Sequence, residues 1–204
     1  MKQYLSEWAP FLLMWVVIIF ALFAIYFWKR FRQNHSGRSK RAVTAQLRSR
    51  GRLLEWKVLT DVELRDDRGG AAADQLVVGP FGVLIVCDAD IPGNYYGDPS
   101  SPYWIVSEAD QDMPEAPRRK IENPMLRCQD AEAAARRILA KGGVYNMMIE
   151  SVVVAAGKDM QICINGGRDR ILNKSQFGAF LSQARFGTDN GVDVDKVAGL
   201  LTGA

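Results

Sequence analysis

The feature that most constrains the fold is a pair of short apolar runs separated by a Gly/Pro turn. Residues 76–78 form the first run and residues 83–87 the second, and a Gly-Pro-Phe-Gly segment at residues 79–82 joins them. Apolar, β-branched runs that meet at such a turn predict an antiparallel hairpin. The second run is apolar at both odd and even positions, which is typical of a strand buried on both faces. We therefore expect this strand to lie at the centre of a sheet.

The region around this hairpin resembles the nuclease-related domain (NERD) family, a branch of the PD-(D/E)xK restriction-endonuclease-like fold. The resemblance covers roughly residues 53–180, and Asn123-Pro124 matches the start of a family helix. It implies an α/β (α+β) fold with a central mixed sheet flanked by helices. It also implies a metal-dependent nuclease acting on DNA. The positions that keep the family register without a gap are Asp74, Val77, Val78, Pro80, Gly82, Gly93 and Trp104.

The same register shows that most of the implied catalytic residues are replaced. Cys87 stands at the position of the family Glu, Ala89 at the position of its Lys, and Arg127 at the position of its Gln. Asp74 alone is retained. In the family, the Asp and Glu carboxylates hold a divalent metal and the Lys positions or activates the attacking water. A thiol is a soft ligand and suits Mg²⁺ poorly, so we expect no metal and no cofactor in this chain.

Three residues could compensate for these replacements and restore an active, Mg²⁺-dependent nuclease. A one-residue bulge would bring Asp88 or Asp90 into the site, although both are expected on the opposite face of the strand from Cys87. Lys120 would supply a lysine from another place in the chain. We expect neither change, and interpret the domain as a degenerate nuclease relative.

An interaction between Asp74 and Arg127 follows from the same register. A partly buried carboxylate without a metal must be paired or take up a proton. Arg127 lies at the edge of the inward stripe of the helix that begins after Asn123, so we predict that its guanidinium reaches Asp74 directly or through one water. Asp74 would then be structural.

An unbroken apolar run at residues 11–28 predicts one transmembrane helix. Eighteen residues at ~1.5 Å each span about 27 Å, close to the hydrocarbon thickness of a bilayer. Residues 29–52 carry nine Lys/Arg and no acid, which predicts an external N-terminus and a cytoplasmic C-terminal domain at the cell membrane. The chain thus divides into an anchor (1–30), a basic juxtamembrane linker or helix (31–52) and a NERD-like domain (53–204).

The distribution of charge along the chain indicates which kinds of partner each part of the protein favours. The basic segment could adhere to anionic lipid or contact nucleic acid phosphates without sequence preference. The whole chain carries +3, residues 29–52 carry +9 and the first 28 residues are neutral, so residues 53–204 carry −6. That acidic balance, with no basic stripe interleaved with aromatics along the sequence, favours an unknown protein partner over nucleic acid. We therefore interpret the protein as a membrane-anchored binding module, with nucleic acid as a possible ligand.

The other patterns predict secondary structure and free thiols. One histidine and three cysteines without metal-type spacing argue against a zinc site, and buried, inert thiols are expected at Cys87 and Cys128. The remaining predicted elements are strands at 55–64, 103–106, 149–156 and 160–164, loops at 94–102 and 108–117, and helices at 39–53, 123–141, 173–185 (capped by Asn173 or Ser175) and 192–201.

Overall fold

A computed structural model describes residues 40–203, apart from 90, 108–116, 158–159, 165 and 167–169. The predicted span at 11–28, the first eleven residues of the basic segment (29–39), Asp90 and nearly all of the acidic loop lie outside these residues. Within the described ranges, no helix combines the length and apolar character needed to cross a bilayer. Residues 39–204 form one compact unit.

The elements are α1 (residues 40–54), β1 (Lys57–Asp66), β2 (Gly69–Gly79), β3 (Gly82–Asp88), β4 (Asn94–Gly97), β5 (Tyr103–Ser107), β6 (Arg118–Glu122), α2 (Pro124–Lys141), β7 (Ile149–Ala155), β8 (Gln161–Ile164), β9 (Ile171–Asn173), α3 (Lys174–Leu181) and α4 (Val194–Thr202), with a 3₁₀ turn at Ala184–Gly187.

A five-stranded mixed sheet forms the centre of this unit, in the order β1-β2-β3-β7-β9. The predicted hairpin is confirmed as β2 and β3, and every residue of β3 is buried. β3 and β7 run parallel, and α2 makes the crossover between them along with β4–β6.

Helices cover both faces of this sheet because β3 is apolar on both sides. Val83, Ile85 and Cys87 pack in one cluster with α2 and α4, while Leu84 and Val86 pack in a second with α1 and α3. The predicted inward residues of α1, Val43 and Leu47, are buried in the second cluster. Helix α1 is therefore part of the folded unit.

A second sheet of four strands, in the order β6-β5-β4-β8, packs its inner face on the α2 side of the core. The prediction of a loop over residues 94–102 is wrong in its first half, since residues 94–97 form β4. Pairing with β5 and β8 and burial of Tyr95 override the turn formers at its ends. Strand β6 was not predicted, because four of its five residues are exposed and it lacks apolar alternation.

Helix boundaries follow the local caps. Asn123 caps α2 through its side chain, which accepts from the Met125 amide, and the helix ends at Gly142 as expected. Asn173 caps α3, but the predicted end at Arg185 is wrong, since the helix ends at Leu181. The chain turns there into the 3₁₀ segment, which buries Phe186 against other aromatic rings.

Candidate functional site

The retained carboxylate, Asp74, lies where β1 and β2 change the face that they present to the core. On β1, Leu59 and Val62 are three positions apart, yet both pack in the hydrophobic cluster that contains α2, and on β2 Ala73 and Leu76 do the same. Residues three apart on a regular strand face opposite sides, so the inward–outward alternation of each strand shifts between these residues. Asp61, which lies opposite Asp74, takes a positive φ of 54° at this point. The Asp74 side chain is about 20% exposed and lies within reach of helices on both faces of the sheet.

Both carboxylate oxygens of Asp74 are engaged. Oδ2 accepts from a guanidinium nitrogen of Arg127 at 2.7 Å and from the backbone N–H of Asp88 at 2.9 Å. Oδ1 accepts from Nζ of Lys40 at 3.0 Å. The predicted direct pair between Asp74 and Arg127 is confirmed. It uses one guanidinium nitrogen, which also donates to the Asp88 carbonyl at 3.2 Å.

The two cations are held in their charged forms. Burial lowers the pKa of Arg127, but the charge of Asp74 and the nearby Cys87 outweigh burial and raise it overall. The pKa of Lys40 is raised in the same way, since hydrogen bonds to Asp61 and Asp74 outweigh desolvation. Sequence reasoning missed Lys40, which counted only as one of many basic juxtamembrane residues.

Cys87 and Ala89 lie where the register placed them. Both are buried, on the side of the sheet that faces α2. Hydrogen bonding to Cys87, together with burial, raises the pKa of the Cys128 thiol well above its usual range, so this thiol stays protonated. The two cysteines are free, as predicted. At these two positions the chain therefore presents a buried sulfur and a buried methyl group.

Of the residues that could compensate, the structure describes Asp88 and Lys120, and both are among the residues that line one cleft. Asp88 takes its predicted place on the opposite face, where its Oδ2 accepts from the buried Gln75 amide at 2.6 Å. Strand β3 pairs with β7 in continuous register through Asp88, so no bulge turns this carboxylate inward. Lys120 lines a cleft of about 330 Å³ beside Ala89 and Arg127, with Arg119 next to it. Its Nζ lies 3.9 Å from the centre of the Tyr103 ring.

The donor set does not fit the divalent metal that the resemblance implies. Mg²⁺ requires several oxygen ligands in near-octahedral geometry. Here the one retained carboxylate already accepts from two cations, and Cys87 offers a soft sulfur ligand. Among the residues that the structure describes, no group of three or more His, Cys, Asp or Glu is placed to hold a metal ion.

Comparison with known families agrees with this architecture. A model of the nuclease-related domain matches residues 35–156, which is more than half of the chain. The chain belongs to the nuclease-related domain family. The match begins well before residue 53, so it includes α1 and Lys40, and it ends after β7. No curated protein matches the chain, and no solved structure does. The mixed sheet with helices on both faces is consistent with the restriction-endonuclease-like fold of this NERD domain.

Proposed function

We propose that this chain is a membrane-anchored NERD protein whose domain acts as a cytoplasmic binding module and does not cleave nucleic acid. The observation that carries the proposal is that both carboxylate oxygens of Asp74 are already paired, one with Arg127 and the other with Lys40. A metal at this position would have to displace two cations from the carboxylate. It would then find Cys87 and Ala89 where the family supplies a second carboxylate and a lysine.

The guanidinium is a substitute for the charge of the metal, without its chemistry. Arg127 satisfies Asp74 electrostatically, but it stays protonated, so it offers neither a base nor a Lewis acid that polarises a phosphoryl oxygen. The hydrogen bonds of Asp74 to Arg127 and to the Asp88 amide therefore still hold β2, β3 and α2 together. The activity of an enzyme would require groups that the described site does not bring together.

Helix α1 supports the proposed location beside a membrane. Arg41, Arg48 and Arg52 are exposed and lie along one side of the helix, opposite the buried Val43 and Leu47. Each basic residue near an anionic bilayer contributes about 1 kcal/mol of attraction. With the apolar run at 11–28 as anchor, we expect this stripe to face lipid headgroups. A reporter active only outside the cytoplasm, fused after the C-terminus, should stay silent; a strong signal would refute this orientation.

The decisive experiment measures cleavage by the full-length protein. Labelled single- and double-stranded DNA is incubated with Mg²⁺ and separately with Mn²⁺, beside an Asp74→Ala variant. We expect no cleavage above the level of that variant. Metal-dependent cleavage that Asp74→Ala removes would overturn the proposal.

One observation favours the alternative, an active nuclease acting on DNA near the membrane. Lys120 is among the residues that line the cleft beside Ala89, although its ammonium lies over the Tyr103 ring and would have to turn toward the cleft to take the place of the missing lysine. If cleavage were found, Lys120→Ala should abolish it, whereas the exposed Lys174→Ala should leave it unchanged. Loss in Lys120→Ala would assign the lysine role to this residue.

A further inference from the structure

The outer face of the four-stranded sheet exposes aromatic and basic side chains together. We define the outer face by Tyr96, Tyr103, Ile105, Arg118 and Lys120. The three apolar members are 43%, 51% and 45% exposed, in that order. Both basic members are exposed as well. On β4 and β5 the alternate residues Tyr95, Trp104 and Val106 are buried, so these half-exposed rings are on the side of the strands that faces solvent.

Strand register explains why these residues share a surface. Tyr96 lies directly opposite Ile105, and Ile105 lies opposite Lys120. The alternate residues Tyr95 and Trp104 point the other way into the core. The outer face is therefore a continuous row across three strands, and its residues are separated by many positions in the sequence. That is why no basic, aromatic stripe is visible along the chain.

Charge on this side of the sheet is concentrated on its edge. Strand β6 is an edge strand, and its first three residues, Arg118, Arg119 and Lys120, are all exposed cations. Glu122, opposite Tyr103, is the acid of the same strand. Arg119 lies opposite the buried Val106 and so belongs to the other face, but the two outer cations Arg118 and Lys120 outweigh the one acid, Glu122, and leave this edge positive although the domain as a whole is acidic. The Lys120 ammonium stands over the Tyr103 ring, so cation and aromatic platform are adjacent.

We propose that the outer face binds a single-stranded nucleic acid, with unpaired bases stacked on Tyr96 and Tyr103 and phosphates bound by Arg118 and Lys120. Every base offers a π-face, so stacking on exposed rings tolerates any sequence, whereas paired bases in a duplex are not accessible to such rings. The cations at the edge of the platform suit a backbone that runs beside the stacked bases. This inference rests on the proposed function as a non-cleaving binding module and names its ligand.

A protein ligand fits this surface less well. A stable protein interface buries about 800 Å² on each partner around a desolvated apolar centre. The outer face offers three apolar side chains with charged residues directly across the strand from two of them, Ile105 and Tyr103. Such a surface would leave Lys120 and Glu122 desolvated beneath an apolar partner.

Aromatic substitutions test the stacking. Binding of a fluorescent 20-nucleotide oligothymidylate to the full-length protein in neutral-lipid nanodiscs is measured by anisotropy. We expect Tyr96→Ala with Tyr103→Ala to weaken Kd at least ~10-fold. The matched control is Tyr145→Ala, because Tyr145 is also exposed (69%) but lies in the α2–β7 loop. Because both tyrosines are half-exposed, we expect the double variant to fold. A thermal melt of each variant checks this.

A salt series tests the phosphate contacts. The slope of log K against log salt should fall by about 0.7 in Lys120→Ala, as expected for one lost contact to a single strand. Lys174→Ala serves as the control cation and should not change the slope. The basic residues before α1 also attract nucleic acid. They are unchanged in both variants, so the difference between Lys120→Ala and Lys174→Ala reports on the outer face alone.

Each outcome decides the inference. An unchanged Kd in the double tyrosine variant would overturn it, and so would the absence of oligonucleotide binding by the wild-type protein. A preference for duplex that is insensitive to the tyrosines would also overturn it, since binding would then be electrostatic alone. Cleavage in the same sample would refute the proposed non-cleaving function, and leave the result on the outer face intact.

Discussion

Two regions of this domain collect cations, and they use them in opposite ways. Around Asp74, Arg127 and Lys40 come from helices on two faces of the central sheet and end on one carboxylate of the same chain. On the outer face, Arg118 and Lys120 come from an edge strand and remain open to solvent. The first arrangement satisfies its own charges, whereas the second leaves them available to a ligand.

From this difference we propose that ligand binding in this NERD domain takes place on the outer face and not around Asp74. A site whose charged groups are paired internally stabilises the fold and has little affinity left for a ligand, because binding would first break those pairs. An exposed surface with hydrogen-bond donors and aromatic rings can bind a ligand without first breaking internal ion pairs. We therefore expect substitutions around Asp74 to change stability, and substitutions on the outer face to change binding.

The largest effect expected from this comparison is on stability at Arg127. Arg127→Ala should lower the free energy of unfolding by about 2 kcal/mol. This is less than the ~3–5 kcal/mol expected for a fully buried pair, because Lys40 remains bonded to Asp74 and the Arg127 side chain is 34% exposed. Urea unfolding of the full-length protein, followed by tryptophan fluorescence, measures it.

The control for that experiment is an exposed ion pair. Arg65 bonds Glu63 with both side chains more than 60% exposed, and Arg65→Ala should cost no more than ~0.5 kcal/mol. An Arg127→Ala protein as stable as Arg65→Ala would mean that the pair at Asp74 is not structural. Oligonucleotide binding should be the same in Arg127→Ala and wild type.

How much of this site was predictable depends on whether the family register marks the residues. The hairpin and the Asn123 cap of α2 follow from local patterns, and the pair between Asp74 and Arg127 follows from the family register although its residues are 53 positions apart. The bond from Lys40 to Asp74 does not, because no register position marks Lys40 and only the packing of α1 brings it to the site. Nothing in a run of basic residues distinguishes the one that turns inward.

The outer face was less predictable still. Its residues come from three strands, one of which, β6, has no apolar alternation that would mark it as a strand. The sequence describes neighbours along the chain and not neighbours across a sheet, so its lack of interleaved aromatic and basic residues does not describe this surface. Pairing between β4, β5 and β6 creates the surface.

A smaller effect, on thiol reactivity, compares the two regions in a single sample. Cys163 lies opposite Tyr96 on β8 and is exposed, whereas Cys87 and Cys128 are buried beside Arg127. Alkylation of the folded protein should therefore modify Cys163 alone, because burial keeps the reagent away from Cys87 and Cys128. An oligothymidylate bound across Tyr96 should slow the alkylation of Cys163 roughly threefold or more. Mass spectrometry of the labelled peptides gives both rates, with the double tyrosine variant as the control that should lose protection. Equal labelling of Cys163 with and without bound oligonucleotide would place the ligand elsewhere, and rapid labelling of Cys87 would show that the site around Asp74 is open.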